Sequence, residues 1–144
     1  MKNLKIFTTL SLVLMLFLNF APKQNQTDVT PAKNRIEVID FHSTHRCTTC
    51  NAIEENTLYA LQKYFPNEMK AGKITFESVN VDLKANKEKA RKFQASGTSL
   101  FLNVIVDGKE TIVDLTEIAF RCGRDQDDFS QKLKTRIETE LKKL

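Results

Sequence analysis

The sequence predicts an α/β sandwich of about 110 residues, with helices on both faces of one sheet, behind an N-terminal export segment. Three observations point there. Apolar, β-branched runs alternate with amphipathic stretches in the order β-α-β-α-β-β-α. The composition supports a core: 41% of the 144 residues are hydrophobic, and ten are Phe. One two-residue turn, Asp107-Gly108, sits between apolar runs and is the strongest short hairpin signal a sequence can carry.

The elements follow in order. Arg35 to Ser43 (RIEVIDFHS) reads as a buried strand. Asn51 to Phe65 places Ile53, Leu58, Leu61 and Phe65 at helical spacing, and Pro66 stops it. Lys73 to Asp82 is a second strand whose apolar residues, Ile74, Phe76, Val79 and Val81, alternate around one slip. Lys84 to Ala95 is a charged helix with Ala90 and Phe93 turned inward, ended at Ser96-Gly97. Leu100 to Val106 and Thr111 to Leu115 are the hairpin strands. Asp125 to Leu144 is a last helix, with Phe129, Leu133, Ile137 and Leu141 every fourth residue and an Asp at its start as a cap. The three strands linked by helices are expected to pack by parallel or crossover connections. The fourth hairpins back on the third.

Residues 1–21 read as a secretory signal: Lys2 and Lys5, then an apolar stretch from Ile6 to Phe20. The stretch is shorter than the roughly 20 residues that cross a bilayer comfortably. Ala21 is followed by Pro22, an unfavourable cleavage site, so an uncleaved anchor is the alternative, with membrane association through residues 6–20. Residues 22–34 are polar and read as a linker, leaving 35–144 as the domain. Either way the domain is expected outside a membrane, periplasmic or anchored facing outward, where thiols meet an oxidising environment.

Several function classes drop out. Four scattered Gly cannot form a phosphate-cradling loop. Three Cys cannot make a disulfide framework. The net charge is +4, and Lys2 and Lys5 account for half of it. The rest is interleaved with acids as a solvated surface, so nucleic acid is not expected as a partner. No cofactor is expected.

One motif carries chemistry. Cys47-Thr48-Thr49-Cys50 lies between the first strand and the first helix. Cys47 is expected at the helix start, where free N–H groups favour a negative sulfur and a lowered thiol pKa. Cys50, one turn further in, can close a disulfide and is expected to be the more buried. Cys47 would attack a partner's disulfide and Cys50 would resolve the mixed disulfide. His45 and Arg46 precede Cys47 and add positive field.

On these residues the chain resembles the thioredoxin superfamily, over Arg35 to Leu144. The resemblance rests on the strand VIDF, the Cys47–Cys50 turn, the following helix and the closing hairpin VIVDGKETIV. It implies a thioredoxin-like three-layer α/β/α sandwich and a redox-active pair exchanging with a protein disulfide or another redox partner. More narrowly, FHSTHRCTTCNAIE and SGTSLFL are similar to the small exported family known as nitrophenyl compound nitroreductase subunit ArsF. Nothing here looks like a flavin site, so in such a complex this chain would be a thiol subunit. The resemblance also implies that Asp40 matches the buried acid that shuttles protons to the second Cys, with one more residue between it and the first. Two departures stand out. Thr98 or Ser99 takes the place of the cis proline, so a trans bond is expected there. Arg46 replaces the aromatic residue before the first Cys.

Blander readings compete. Cys47 and Cys50 could form a purely structural bridge, though so short a loop gains little from closure. With His42 and His45 they could instead capture a soft metal or arsenite, making the chain a non-enzymatic binding module. Cys122 reads as a partly buried small residue, or as a third thiol that pairs with a partner.

Overall fold

The computed structural model describes residues 30–144. The export segment of residues 1–21 and most of the linker lie outside the described residues. The architecture is a four-stranded sheet with helices on both faces. In chain order the elements are β1 (Arg35–His42), α1 (Thr48–Tyr64), α2 (Pro66–Lys70), β2 (Ile74–Asn80), a 3-10 turn (Lys84–Asn86), α3 (Lys87–Phe93), β3 (Ser99–Val106), β4 (Lys109–Asp114), α4 (Thr116–Cys122) and α5 (Gln126–Leu141).

The strand order is β2-β1-β3-β4. β2 runs parallel to β1, in register His42 with Asn80. β3 runs antiparallel to β1, pairing Phe41 with Ser99, and β4 is antiparallel to β3. The parallel expectation thus holds for β2 and is corrected for β3. α3 is short, and the chain after it enters the sheet from the end where β1 finishes. This topology is that of a thioredoxin-like three-layer α/β/α sandwich.

Alternation along β1 separates two cores. Ile36 and Val38 face one side, where they pack with Leu100, Leu102 and Val104 of β3 under Ile53, Leu61, Ala119, Phe129, Leu133 and Ile137 of α1, α4 and α5. Ile39 and Phe41 face the other, packing with Val79, Val81, Phe101 and, from α3, Ala90 and Phe93. On that side Phe41, Phe93 and Phe101 form a trio with centroids 5.4–5.8 Å apart. The slip expected in β2 has its cause here. Ile74 and Phe76 pack into the first core and Val79 into the second, so the strand changes its apolar face midway without a bulge.

Local chemistry explains most boundaries. Asp107 and Gly108 both take positive φ (48° and 80°), the backbone of a primed hairpin turn. Asp125 caps α5 by accepting from the Asp128 N–H at 3.0 Å. Three expectations need correction. The first helix starts at Thr48, three residues earlier than expected, because Cys47 caps it. The single helix over 84–95 is a 3-10 turn followed by α3, ended by Gln94 in the left-handed region. Two short helices were not foreseen: α2, which Pro66 opens, and α4. The end of α4 approaches α1 so closely that a Cβ on Gly123 would stand 2.6 Å from Ile53 Cγ1 and 2.3 Å from the Ala119 oxygen. Buried Asn56 of α1 fastens that approach, donating to the Gly123 carbonyl at 2.8 Å.

Candidate active site

β1 and β2 end at the same edge of the sheet, and β3 begins there. The segment after β1 crosses this edge, held by the Thr44 N–H donating to Asp82 Oδ2 at 2.7 Å, and delivers Cys47 to the start of α1.

Cys47 and Cys50 are joined as a disulfide, with Cα atoms 5.0 Å apart. Cys47 is the N-cap of α1, and its sulfur accepts from the Cys50 N–H at 3.1 Å. No acidic residue stands in the first turn to oppose a negative sulfur. Cys47 is exposed and Cys50 is buried at 8% exposure, so a partner can reach only the first sulfur. The placement is the one the strand-to-helix position of the motif predicts.

Below the pair lies a charged group of three. Asp40 faces α1 and is fully buried. The Arg46 guanidinium folds inward, 3.3 Å from Asp40 Oδ2, and pairs with Glu54 on α1 through its other terminal nitrogen. The nitrogen facing Asp40 also donates to the Cys50 carbonyl at 3.2 Å. Asp40 Oδ1 and Arg46 Nε are buried with no hydrogen-bond partner among the described residues. Burial pushes the Asp40 carboxyl up to about 7, against the lowering charge of Arg46 and with the help of Glu54. Glu54 moves the other way. Burial would raise it, but hydrogen bonds from Arg46 and Ser78 and the Arg46 charge hold it below the ordinary carboxylate range.

The residues singled out in the sequence divide into two groups. Asp40, Arg46, Cys47 and Cys50 come together. Arg46, expected to lend positive field to Cys47, has its charge engaged by two carboxylates. His45 is exposed, and the ring of His42 lies against the Ser43 carbonyl, its Nδ1 at 3.0 Å. Among the described residues, no group of three or more His, Cys, Asp or Glu is placed to hold a metal ion. Thr98 and Ser99 sit at the start of β3 on the same edge. Ser99 is buried and its hydroxyl donates to the Gly97 carbonyl at 3.1 Å, and every peptide bond among the described residues is trans. Glu54 was missed. Its signal is spacing: four residues past Cys50, it lies on the same helix face one turn on. Cys122 is buried, its thiol donating to the Ile118 carbonyl at 3.0 Å, and burial raises its pKa.

The fold and this site define a thioredoxin-like domain carrying a Cys47–Cys50 disulfide at a strand-to-helix junction. Among solved structures the chain is similar to thioredoxin from Fasciola hepatica, at 28% identity and a TM-score of 0.41, over 64% of this chain and 80% of that one. It is also similar to mitochondrial thioredoxin 3 from Saccharomyces cerevisiae, at 22% identity and a TM-score of 0.41, over 63% and 77%. No protein-family model and no curated protein matches the sequence. Strand order and direction, rather than these overlaps, define the fold.

Proposed function

We propose that the protein is a thiol–disulfide oxidoreductase whose working couple is Cys47–Cys50. The observation that carries this reading is the asymmetry of the pair. One cysteine is exposed and its sulfur receives a helix N-terminal N–H, and the other is buried, its carbonyl sharing an Arg46 nitrogen with the titratable acid Asp40.

In the reducing direction the Cys47 thiolate attacks one sulfur of a partner disulfide. The Cys47–partner bond forms, the partner's own S–S bond breaks, and its second sulfur leaves as a thiolate and takes up a proton. Cys50 then loses its proton to the Asp40 carboxylate and attacks Cys47. The mixed disulfide breaks, the first partner sulfur leaves and is protonated, and Cys47–Cys50 closes. Two electrons have passed to the partner. Run backwards, the same steps let a dithiol partner reduce the disulfide seen here. The two reduction potentials set the direction. Thr98 and Ser99, at the same edge, are the backbone strip on which a partner would lie.

Partner and setting are also proposals. The partner is a protein disulfide or dithiol. The N-terminal segment favours a domain outside a membrane, released or anchored through residues 6–20, and the likeness of FHSTHRCTTCNAIE to the exported nitroreductase-subunit family favours a thiol subunit that hands electrons on.

The test is exchange by the reduced protein. Cys47→Ser is expected to abolish reduction of insulin disulfides. Cys50→Ser is expected to stall as a mixed disulfide on Cys47. Unchanged turnover in both variants overturns the reading.

A further inference from the structure

Asp40 and Glu54 share one cation. Arg46 stands between them with one terminal nitrogen toward each. One nitrogen pairs with Glu54, and the contact to Asp40, at 3.3 Å, is a long one whose nitrogen also donates to the Cys50 carbonyl. Asp40 Oδ1 is left with no partner among the described residues. A fully buried carboxylate this poorly paired is costly, whereas a carboxylic acid at the same place costs much less.

We propose that Glu54 is a positioning residue that draws Arg46 away from Asp40 and thereby leaves the buried Asp40 carboxyl without a full ionic partner. Glu54 acts in two ways of the same sign. It occupies the guanidinium that would otherwise form a full fork on Asp40, and it adds a negative charge to the same site. The raised value of Asp40, to which the Glu54 charge contributes, fits this arrangement. The other groups facing Asp40 do not replace it. His42, on the same face of β1, lies near Glu54. Cys50 closes the site from α1. The neighbours across the sheet, Ser78 and Leu100, carry no charge. That the Asp40 proton is the one Cys50 gives up rests on the redox reading above. The placement of Arg46 by Glu54 does not.

The experiment therefore reads Asp40 directly, in the oxidised protein, by the pH titration of its ¹³C carboxyl resonance. Loss of the resonance in Asp40→Asn identifies it. Wild type is expected to titrate at about 7. In Glu54→Gln the midpoint is expected to fall by about one pH unit or more, as Arg46 turns to Asp40. In Arg46→Gln it is expected to rise. Glu54→Asp, which keeps the charge on a shorter arm, is expected to return the midpoint towards wild type, an effect that loss of packing alone would not give. A midpoint that stays in place or rises in Glu54→Gln, or that falls equally in Glu54→Asp, overturns the inference. Neither result bears on whether Cys47 exchanges with a partner disulfide, which the insulin assay reads separately.

Discussion

The molecule holds its thiol chemistry in two places, and helices set them apart. Cys47 begins α1, where the sulfur meets an N–H; Cys122 ends α4, where the sulfur meets a carbonyl. An N–H lowers the cost of a negative sulfur and a carbonyl raises it. Exposure runs the same way, with Cys47 open to solvent and Cys122 packed against the first core. One residue type thus stands exposed at a helix start in one place and serves as core in another. The difference lies in which end of a helix each occupies and in what covers it.

The widest gap should appear in alkylation. In the reduced native protein, iodoacetamide is expected to label Cys47 roughly a thousand times faster than Cys122, which reacts only through opening of the core. Peptide mapping by mass spectrometry over a time course reads both rates, and comparable labelling would erase the contrast.

A second effect concerns the acid beneath the pair. The native state holds the Asp40 proton at pH values where the unfolded chain, with an ordinary value of 3.8, has released it. Its contribution to stability is therefore complete below about 3.8 and is lost as pH climbs through about 7. The full swing is about 4 kcal/mol as an upper bound. Asp40→Asn should flatten the pH dependence of urea unfolding over that window, leaving the mutant the more stable relative to wild type at pH 8 than at pH 4. An unchanged slope would mean that Asp40 titrates normally.

The region around Cys122 should answer to shape and not to charge. Gly123→Ala drives a methyl into the Ala119 carbonyl and Ile53 and should cost about 2 kcal/mol or more in chemical unfolding. Cys122→Ala should be the mildest change, at about 1 kcal/mol, with the exchange rate of the Cys47–Cys50 couple unaltered. A Cys122→Ala variant that lost exchange would join the two regions and end their separation.

Much of this contrast was legible in the residues. Turn chemistry marked the hairpin at Asp107-Gly108, and the placement of CxxC between a β-branched run and an amphipathic one located the site. Asp40 came only from the resemblance to thioredoxin, which matches it to a buried acid. Other features carried no such mark. Nothing in the apolar run of β3 distinguishes its antiparallel direction, since a strand buried on both faces reads the same either way. α4 has seven residues, too few turns to show a period. Glu54 looked like its neighbour Glu55, one more charge on a helix, until Arg46 was seen turning inward to meet it. Arg46 itself was placed correctly in sequence but not in direction, because only the carboxylates of Asp40 and Glu54 show which way its charge points.

The central claim is that Cys47 is held where its thiolate is favoured. The direct measurement is the absorbance of thiolate at 240 nm against pH, in the reduced Cys122→Ala variant, with Cys47→Ser in the same background as the reference. The account predicts a transition belonging to Cys47 clearly below the value of about 8.5 for an ordinary thiol. A Cys47 transition at or above that value would contradict it.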